Sequence, residues 1–358
     1  MKVTLSTAEP RRHAEPTARA IELTHLVFER PDLSRAEAFL RDFGLTVVTR
    51  TDDVLLLRGT APSAYGYRVH RAGKARFVGL GLAVASRDEL LRLSRLAGAT
   101  PIAPATYPGG GEQTVLSDPS GFVVEVLHGR QSAEELPTRE PLALNVGKVA
   151  RRINHGQRPP VVPPAVIRLG HVALEVADYQ ATARFYTQHL GLVPSDIQVL
   201  PDGSPAVAFL RLDRGAQPTD HHTLALVQGL EPRLNHSAYE LVDADAVGMG
   251  QRVLRERGYQ HAWGIGRHIL GSQIFDYWSD EHGDKHEHYC DGDLFTADTP
   301  PGVSAVSREA MAQWGQPMPS SFTRPSLSLR ALLAAARNLR RSPDLSLEKV
   351  LTLARLFG

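Results

Sequence analysis

An internal repeat constrains this chain more than any other feature. Ile21-Glu-Leu-Thr-His25-Leu-Val-Phe28 opens the first half, and Ile167-Arg-Leu-Gly-His171-Val-Ala-Leu174 opens the second. Both openings have strand character, and a helical pattern follows each. Ala36, Phe39 and Leu40 carry the first helix; Ala183, Tyr186 and Leu190 carry the second. Each helix stops at a Gly-Leu pair, Gly44-Leu45 and Gly191-Leu192, where glycine suits a helix C-terminus. The halves also close alike. Ser117-Asp-Pro-Ser-Gly121 feeds a strand holding Glu125, and Ser279-Asp-Glu-His-Gly283 feeds one holding Glu287. Within the second half the pattern recurs: a strand over residues 235–241, an N-cap at Asp243, a helix with Val247, Val253 and Leu254, and a stop at Gly258. A repeat of this kind marks one supersecondary unit used several times. Four strand–helix–strands units, two per half, define an α+β chain.

The remaining segments differ from the repeat. Residues 1–20 form an N-terminal extension, followed by the first repeat half over 21–130. Residues 131–166 contain Arg151-Arg152, Pro159-Pro160 and Pro163-Pro164 and read as a linker or arm. The second half spans 167–300. Residues 301–358 form a tail with two amphipathic helices, one over 329–341 and one over 345–356, split by Ser342-Pro343. With 358 residues the chain is long enough for about two domains at roughly 150 residues each. A net charge of +1 argues against nucleic-acid binding through bulk charge. The first twenty residues lack the apolar run of a signal peptide. The longest apolar stretch, Phe77 to Ala85, falls far short of the roughly 20 residues that span a bilayer. The single cysteine, Cys290, cannot form an internal disulfide, so a cytoplasmic, reducing location is expected.

Histidines are unevenly spread: ten of the 15 lie between His171 and His288, which directs attention to the second half. Alone, His171, His236 and Glu287 would be ordinary strand residues. The repeat changes this, because His171 and His236 occupy corresponding places in successive units and Glu287 lies on the closing strand. Paired around a pseudo-twofold, the three converge in one cup. Two imidazoles and a carboxylate bind a divalent first-row metal on one face and leave adjacent positions open. The first half keeps His25 and Glu125, but Phe77-Val78-Gly79 offers no ligand where His236 would fall, so that half is expected to be metal-free. Around the proposed metal stand His221-His222-Thr223 at a strand opening, and His268 and Tyr277, nine residues apart. Such donors suit proton management beside bound substrate. Strand alternation turns His286 and His288 away from the Glu287 face.

These residues resemble the type I extradiol ring-cleavage dioxygenases of the vicinal oxygen chelate superfamily. The matching segments are Leu-Gly-His171-Val, His221-His222-Thr, Asn-His236, Gly-Arg-His268 and Asp276-Tyr277 leading to Glu287-His-Tyr. The resemblance covers roughly residues 21–295 and is strongest in the second half. It implies a vicinal oxygen chelate fold, with two domains of two βαβββ modules each, forming open barrels. It implies His171, His236 and Glu287 as ligands of Fe(II) or, less commonly, Mn(II). It implies His222 as the acid/base group and His268 and Tyr277 as substrate-side donors. The expected partners are a catechol and O2, in a homo-oligomer, with meta cleavage of the ring beside its two hydroxyls. The competing expectations are another metal-dependent enzyme of the superfamily, a glyoxalase-like isomerase or transferase, and a metal-free small-molecule binding protein. Two departures stand out: Asp280-Glu-His-Gly283 replaces the family's Asp-Pro-Ser-Gly turn, and Asp284-Lys285-His286 is unusually polar.

Overall fold

Four βαβββ units build two large sheets. The computed structural model describes residues 10–323 and 329–357; the first nine residues of the N-terminal extension, and residues 324–328 and 358 of the tail, lie outside the described residues. The first unit comprises β1 (Ala20–Arg30), α1 (Leu33–Asp42), β2 (Thr46–Arg50), β3 (Val54–Arg58) and β4 (Tyr67–Arg71). The second comprises β5 (Arg76–Val84), α2 (Arg87–Leu93), β6 (Ala103–Pro104), β7 (Glu112–Ser117) and β8 (Val123–His128). The third runs through β9 (Arg168–Val176), α3 (Tyr179–Leu190), β10 (Val193–Val199), β11 (Pro205–Arg211), β12 (Thr219–Asp220) and β13 (Leu224–Gln228). The fourth is β14 (Arg233–Glu240), α4 (Ala244–Glu256), β15 (Gln260–Arg267), β16 (Ile274–Ser279) and β17 (Lys285–Cys290). Local chemistry sets the helix ends. Asp32 and Asp243 accept from backbone N–H groups of the first turns of α1 and α4, and Gly191 closes α3 at φ 68°.

The strand order is β2-β3-β4-β1-β5-β8-β7-β6 in the first half, and β10-β11-β13-β9-β14-β17-β16-β15 runs through the second. In each, the opening strands of the two units pair antiparallel at the centre, β1 with β5 and β9 with β14. The closing strands β8 and β17 lie parallel to β5 and β14. This is the pseudo-twofold that the repeat implied.

The second sheet also takes in part of the segment assigned to the tail. After β18 (Leu294–Phe295), which pairs with β12, the chain forms β19 (Gly302–Ala305), a 3-10 turn (Glu309–Met311) and β20 (Trp314–Gly315). β19 adds to β10 and β20 adds to β15, so one strap reaches both outer edges of the sheet and crosses the cup between them. Two helices follow, α5 (Leu329–Arg341) and α6 (Leu347–Phe357). The second starts two residues later than its periodicity suggests, because Leu345 is buried in the connection and Asp344 holds the Gln180 backbone and side chain.

The polar departures near Glu287 face the first half. Arg30, buried on β1, donates to Asp280 at 2.9 Å and to Asp284 at 2.5 Å. His286 accepts from the Tyr67 hydroxyl at 3.0 Å, and His288 donates to the Phe43 carbonyl at 2.6 Å while stacking on the Phe43 ring. A turn that looks aberrant in sequence is a seam between the halves. Burial keeps both imidazoles neutral, pushing each down to about 4.

Candidate metal centre

The register of the central strands brings three donors together. Ala238 on β14 stands opposite His171 on β9, and His236 stands opposite Ala173. Ala238 also pairs with Glu287 on β17, so the three side chains share one face of three adjacent strands. Among the described residues, His171, His236 and Glu287 form the one group of three potential ligands whose donor atoms all lie within 4.8 Å of one another. The Nε2 atoms of His171 and His236 are 3.2 Å apart, and Glu287 Oε2 lies 3.2 Å from the first and 3.5 Å from the second.

Their chemistry fits a divalent cation. Both carboxylate oxygens of Glu287 are buried without a hydrogen-bond partner, a costly arrangement unless something else satisfies them. Burial alone would raise the Glu287 carboxyl, but the surrounding imidazoles of His171, His268 and His236 outweigh it and hold the group ionised. Burial pushes His236 down to about 3, so its imidazole is neutral. Its Nδ1–H donates to Asn235 Oδ1 at 2.8 Å, which leaves Nε2 bare toward the cup. Asn235 in turn donates to Glu175, itself gripped by Arg233 through two oxygens.

The other three expected residues ring this cluster. Thr223 hydrogen-bonds the strand edge of β9 through Val172, which sets the His222 ring 4.0 Å from that of His171. Burial, reinforced by neighbouring histidines, lowers His222 well below an ordinary imidazole. Tyr277 stands opposite Glu287 in the β16–β17 register. Its O–H donates to His268 Nε2 at 2.9 Å, and His268 Nδ1–H donates to the Met311 carbonyl of the strap at 2.7 Å. His268 Nε2 also approaches Glu287 Oε1 to 3.6 Å. A cavity of about 50 Å3 joins these groups, with Phe209, Leu270 and Met311 as apolar walls and Gln198 and Gln273 as polar ones. Sequence reasoning missed the strap, Asn235 as an orienting group, and the two glutamines.

The first half sets different residues on the same frame. Its register equates Gly81 with Ala238 and Gly79 with His236. A Cβ at Gly79 would fall 1.9 Å from the Val123 carbonyl oxygen, so no side chain fits there without moving backbone. His25 Nε2–H donates to Glu125 at 3.0 Å, and Arg68 donates to the other carboxylate oxygen. Burial favours a neutral Glu125, but His25 and Arg68 prevail and hold it down at about 2. A guanidinium supplies here the positive charge that a cation would supply in the second cup.

Comparisons with known proteins agree with this fold. Residues 168–284 match the family model of the Glyoxalase/Bleomycin resistance protein/Dioxygenase superfamily. The chain is 31% identical over 315 residues to metapyrocatechase 2 of Cupriavidus necator, covering 87% of this chain and 94% of that protein. It is 29% identical over 220 residues to an iron-dependent extradiol dioxygenase of Rhodococcus jostii (strain RHA1), covering 57% of this chain and 63% of that one. Among solved structures, an extradiol ring-cleaving dioxygenase from B. fuscum superimposes with a TM-score of 0.72 at 17% identity, covering 90% of this chain and 87% of that one. The Mn(II)-bound glyoxalase from Novosphingobium aromaticivorans also gives 0.72, at 23% identity, covering 87% and 97%. Fold and centre together define a vicinal oxygen chelate protein. Within that superfamily, the chain belongs to the type I extradiol dioxygenases.

Proposed function

We propose that the chain cleaves a catechol ring beside its two hydroxyls, inserting both atoms of O2, with His171, His236 and Glu287 holding Fe(II) or Mn(II). The observation that carries this is the three-donor cluster with His222, His268 and Tyr277 arranged around it in one small cavity. The ion, when bound, supplies a Lewis-acidic meeting point for catechol and O2 and a path for electron density between them.

The chain's own groups do the rest. His222, neutral and buried, accepts a proton from the bound catechol and returns it as the ring opens. His268 and Tyr277 form a hydrogen-bonded pair fixed by the Met311 carbonyl, and they orient a substrate oxygen. Phe209, Leu270 and Met311 exclude water and press on the ring.

Residues 21–130 act as the metal-free domain and 167–300 as the catalytic one, with 131–166 as the arm between them. We further propose a homo-oligomer in the cytoplasm. Exposed Leu332, Leu333, Leu347 and Leu351 on the tail helices and exposed Ile153 on the arm support self-association, and a single buried Cys290 suits a reducing compartment. Among the described residues, no helix is long and apolar enough to cross a membrane.

The test is anaerobic loading with Fe(II), then a panel of substituted catechols in air. A yellow ring-opened product with one O2 consumed per catechol is expected. Metal binding without oxygen uptake on any catechol would favour a glyoxalase-like isomerase instead.

A further inference from the structure

His222 is one end of a chain of three side chains. Asp196 on β10 lies with its Oδ2 2.7 Å from His221 Nε2. His221 Nδ1 lies 3.0 Å from His222 Nδ1. Both imidazoles are almost fully buried, whereas the Asp196 side chain is 17% exposed. The arrangement is built in rather than incidental. Gly302, opposite Asp196 in the β10–β19 pair, has no Cβ; one placed there would sit 2.0 Å from Asp196 Oδ1. Ser195 Oγ donates to the His221 carbonyl, and Arg211 donates to Ser195 Oγ at 2.9 Å. Phe209 packs against both imidazole rings, and the backbone at Gly271 leaves room for His221 Nδ1.

Hydrogen-bond polarity then fixes the tautomers. A carboxylate only accepts, so His221 carries its proton on Nε2. In that tautomer His221 Nδ1 is a lone pair facing His222 Nδ1. Two imidazole nitrogens 3.0 Å apart bond only if one of them carries hydrogen, so His222 carries its proton on Nδ1. His222 Nε2 is left as a lone pair.

We propose that Asp196 and His221 are positioning residues that present His222 to the cup as a proton acceptor at Nε2. Neither touches the three metal ligands, and both act only through His222. The assignment rests on ring cleavage as the activity, in which the bound catechol gives up a proton. It extends that activity to an Asp–His pair outside the cup.

The test uses the full-length chain with Asp196→Asn, an almost isosteric change. An asparagine can donate to His221 Nε2, which reverses both tautomers and puts hydrogen on His222 Nε2. In the Fe(II)-loaded enzyme kcat is expected to fall by about 100-fold or more, as tautomer errors do in hydrolase triads, while catechol KM and iron per chain stay within about twofold. In the Zn(II)-substituted, 15N-histidine-labelled protein, the Nδ1 and Nε2 shifts of His222 are expected to interchange. His221→Gln, which breaks the chain at its middle, is expected to give the same loss of kcat, and it replaces Asp196→Asn should that variant not fold. An unchanged kcat, or unchanged His222 shifts, overturns the proposal. If the wild-type chain cleaves no catechol, the activity assignment fails by itself, and the nitrogen shifts still decide the tautomer.

Discussion

Replacing Arg68 with methionine separates the two cups most sharply. Arg68 is 4% exposed and donates to Glu125, which is 8% exposed, while its guanidinium lies 4.4 Å from the Tyr107 ring centroid. Methionine keeps much of the aliphatic packing but leaves the Glu125 carboxylate buried with only the neutral His25 as partner. Breaking a buried ion pair from one side costs about 3–5 kcal/mol. At about 2–4 °C per kcal/mol for a domain of this size, the melting temperature should fall by about 6–20 °C. The assay is paired: calorimetric melting, and iron per chain with turnover at 25 °C. Stability should drop while iron content and kcat remain at wild-type values, because the second cup does not use Arg68. Adding Glu125→Gln should recover most of the loss, since it removes the stranded charge. An unchanged melting temperature, or a fall in iron content with stability intact, would refute the idea that the guanidinium stands in for a cation in the first cup.

The remaining expectations concern protons. His222→Ala should keep its iron and lose about 10²–10⁴-fold in kcat, the usual contribution of a positioned acid–base group; steady-state oxygen uptake with metal analysis checks it, and wild-type turnover would refute it. His25 is pushed down to about 4 by burial, against about 6.5 for an ordinary imidazole. The unfolded chain therefore binds the extra proton between those values, and stability falls as pH drops through that window. The wild-type advantage over His25→Gln in urea unfolding should shrink by about 3 kcal/mol between pH 7 and pH 4. A pH-independent difference would sink that account.

Much of the cup was legible in the sequence because the repeat carries its own register. Once β9 and β14 are recognised as equivalent, His171 and His236 must fall on one face, and Glu287 follows from the closing strand. The gap at Gly79 was readable for the same reason. The particular roles of His222, His268 and Tyr277 came from resemblance, since no periodicity marks a histidine before a strand as a proton acceptor. What stayed hidden depends on contacts distant in sequence. Asp196 and His221 are 25 residues apart and meet only because β10, β11 and β13 are neighbours. Arg68 is one charge on a short strand, with nothing local to distinguish it from a solvated residue. The strap has strands of four and two residues, too short for any hydrophobic pattern. The polar turn before Glu287 was visible in sequence only as a departure, and its partners, Arg30 and Tyr67 of the first half, lie far away along the chain.

The strap also governs how the second sheet behaves toward other sheets. With it in place, the outermost strands are only four and two residues long. Without it, β10 and β15 would bare seven and eight residues of unpaired peptide groups at opposite margins. Long open margins recruit foreign strands and seed aggregates. The strap shortens those margins, covering Asp196 to Val199 of β10 and Gly266 and Arg267 of β15, so a chain halted near residue 300 would keep its sheet yet be more prone to clump than one that carries the strap.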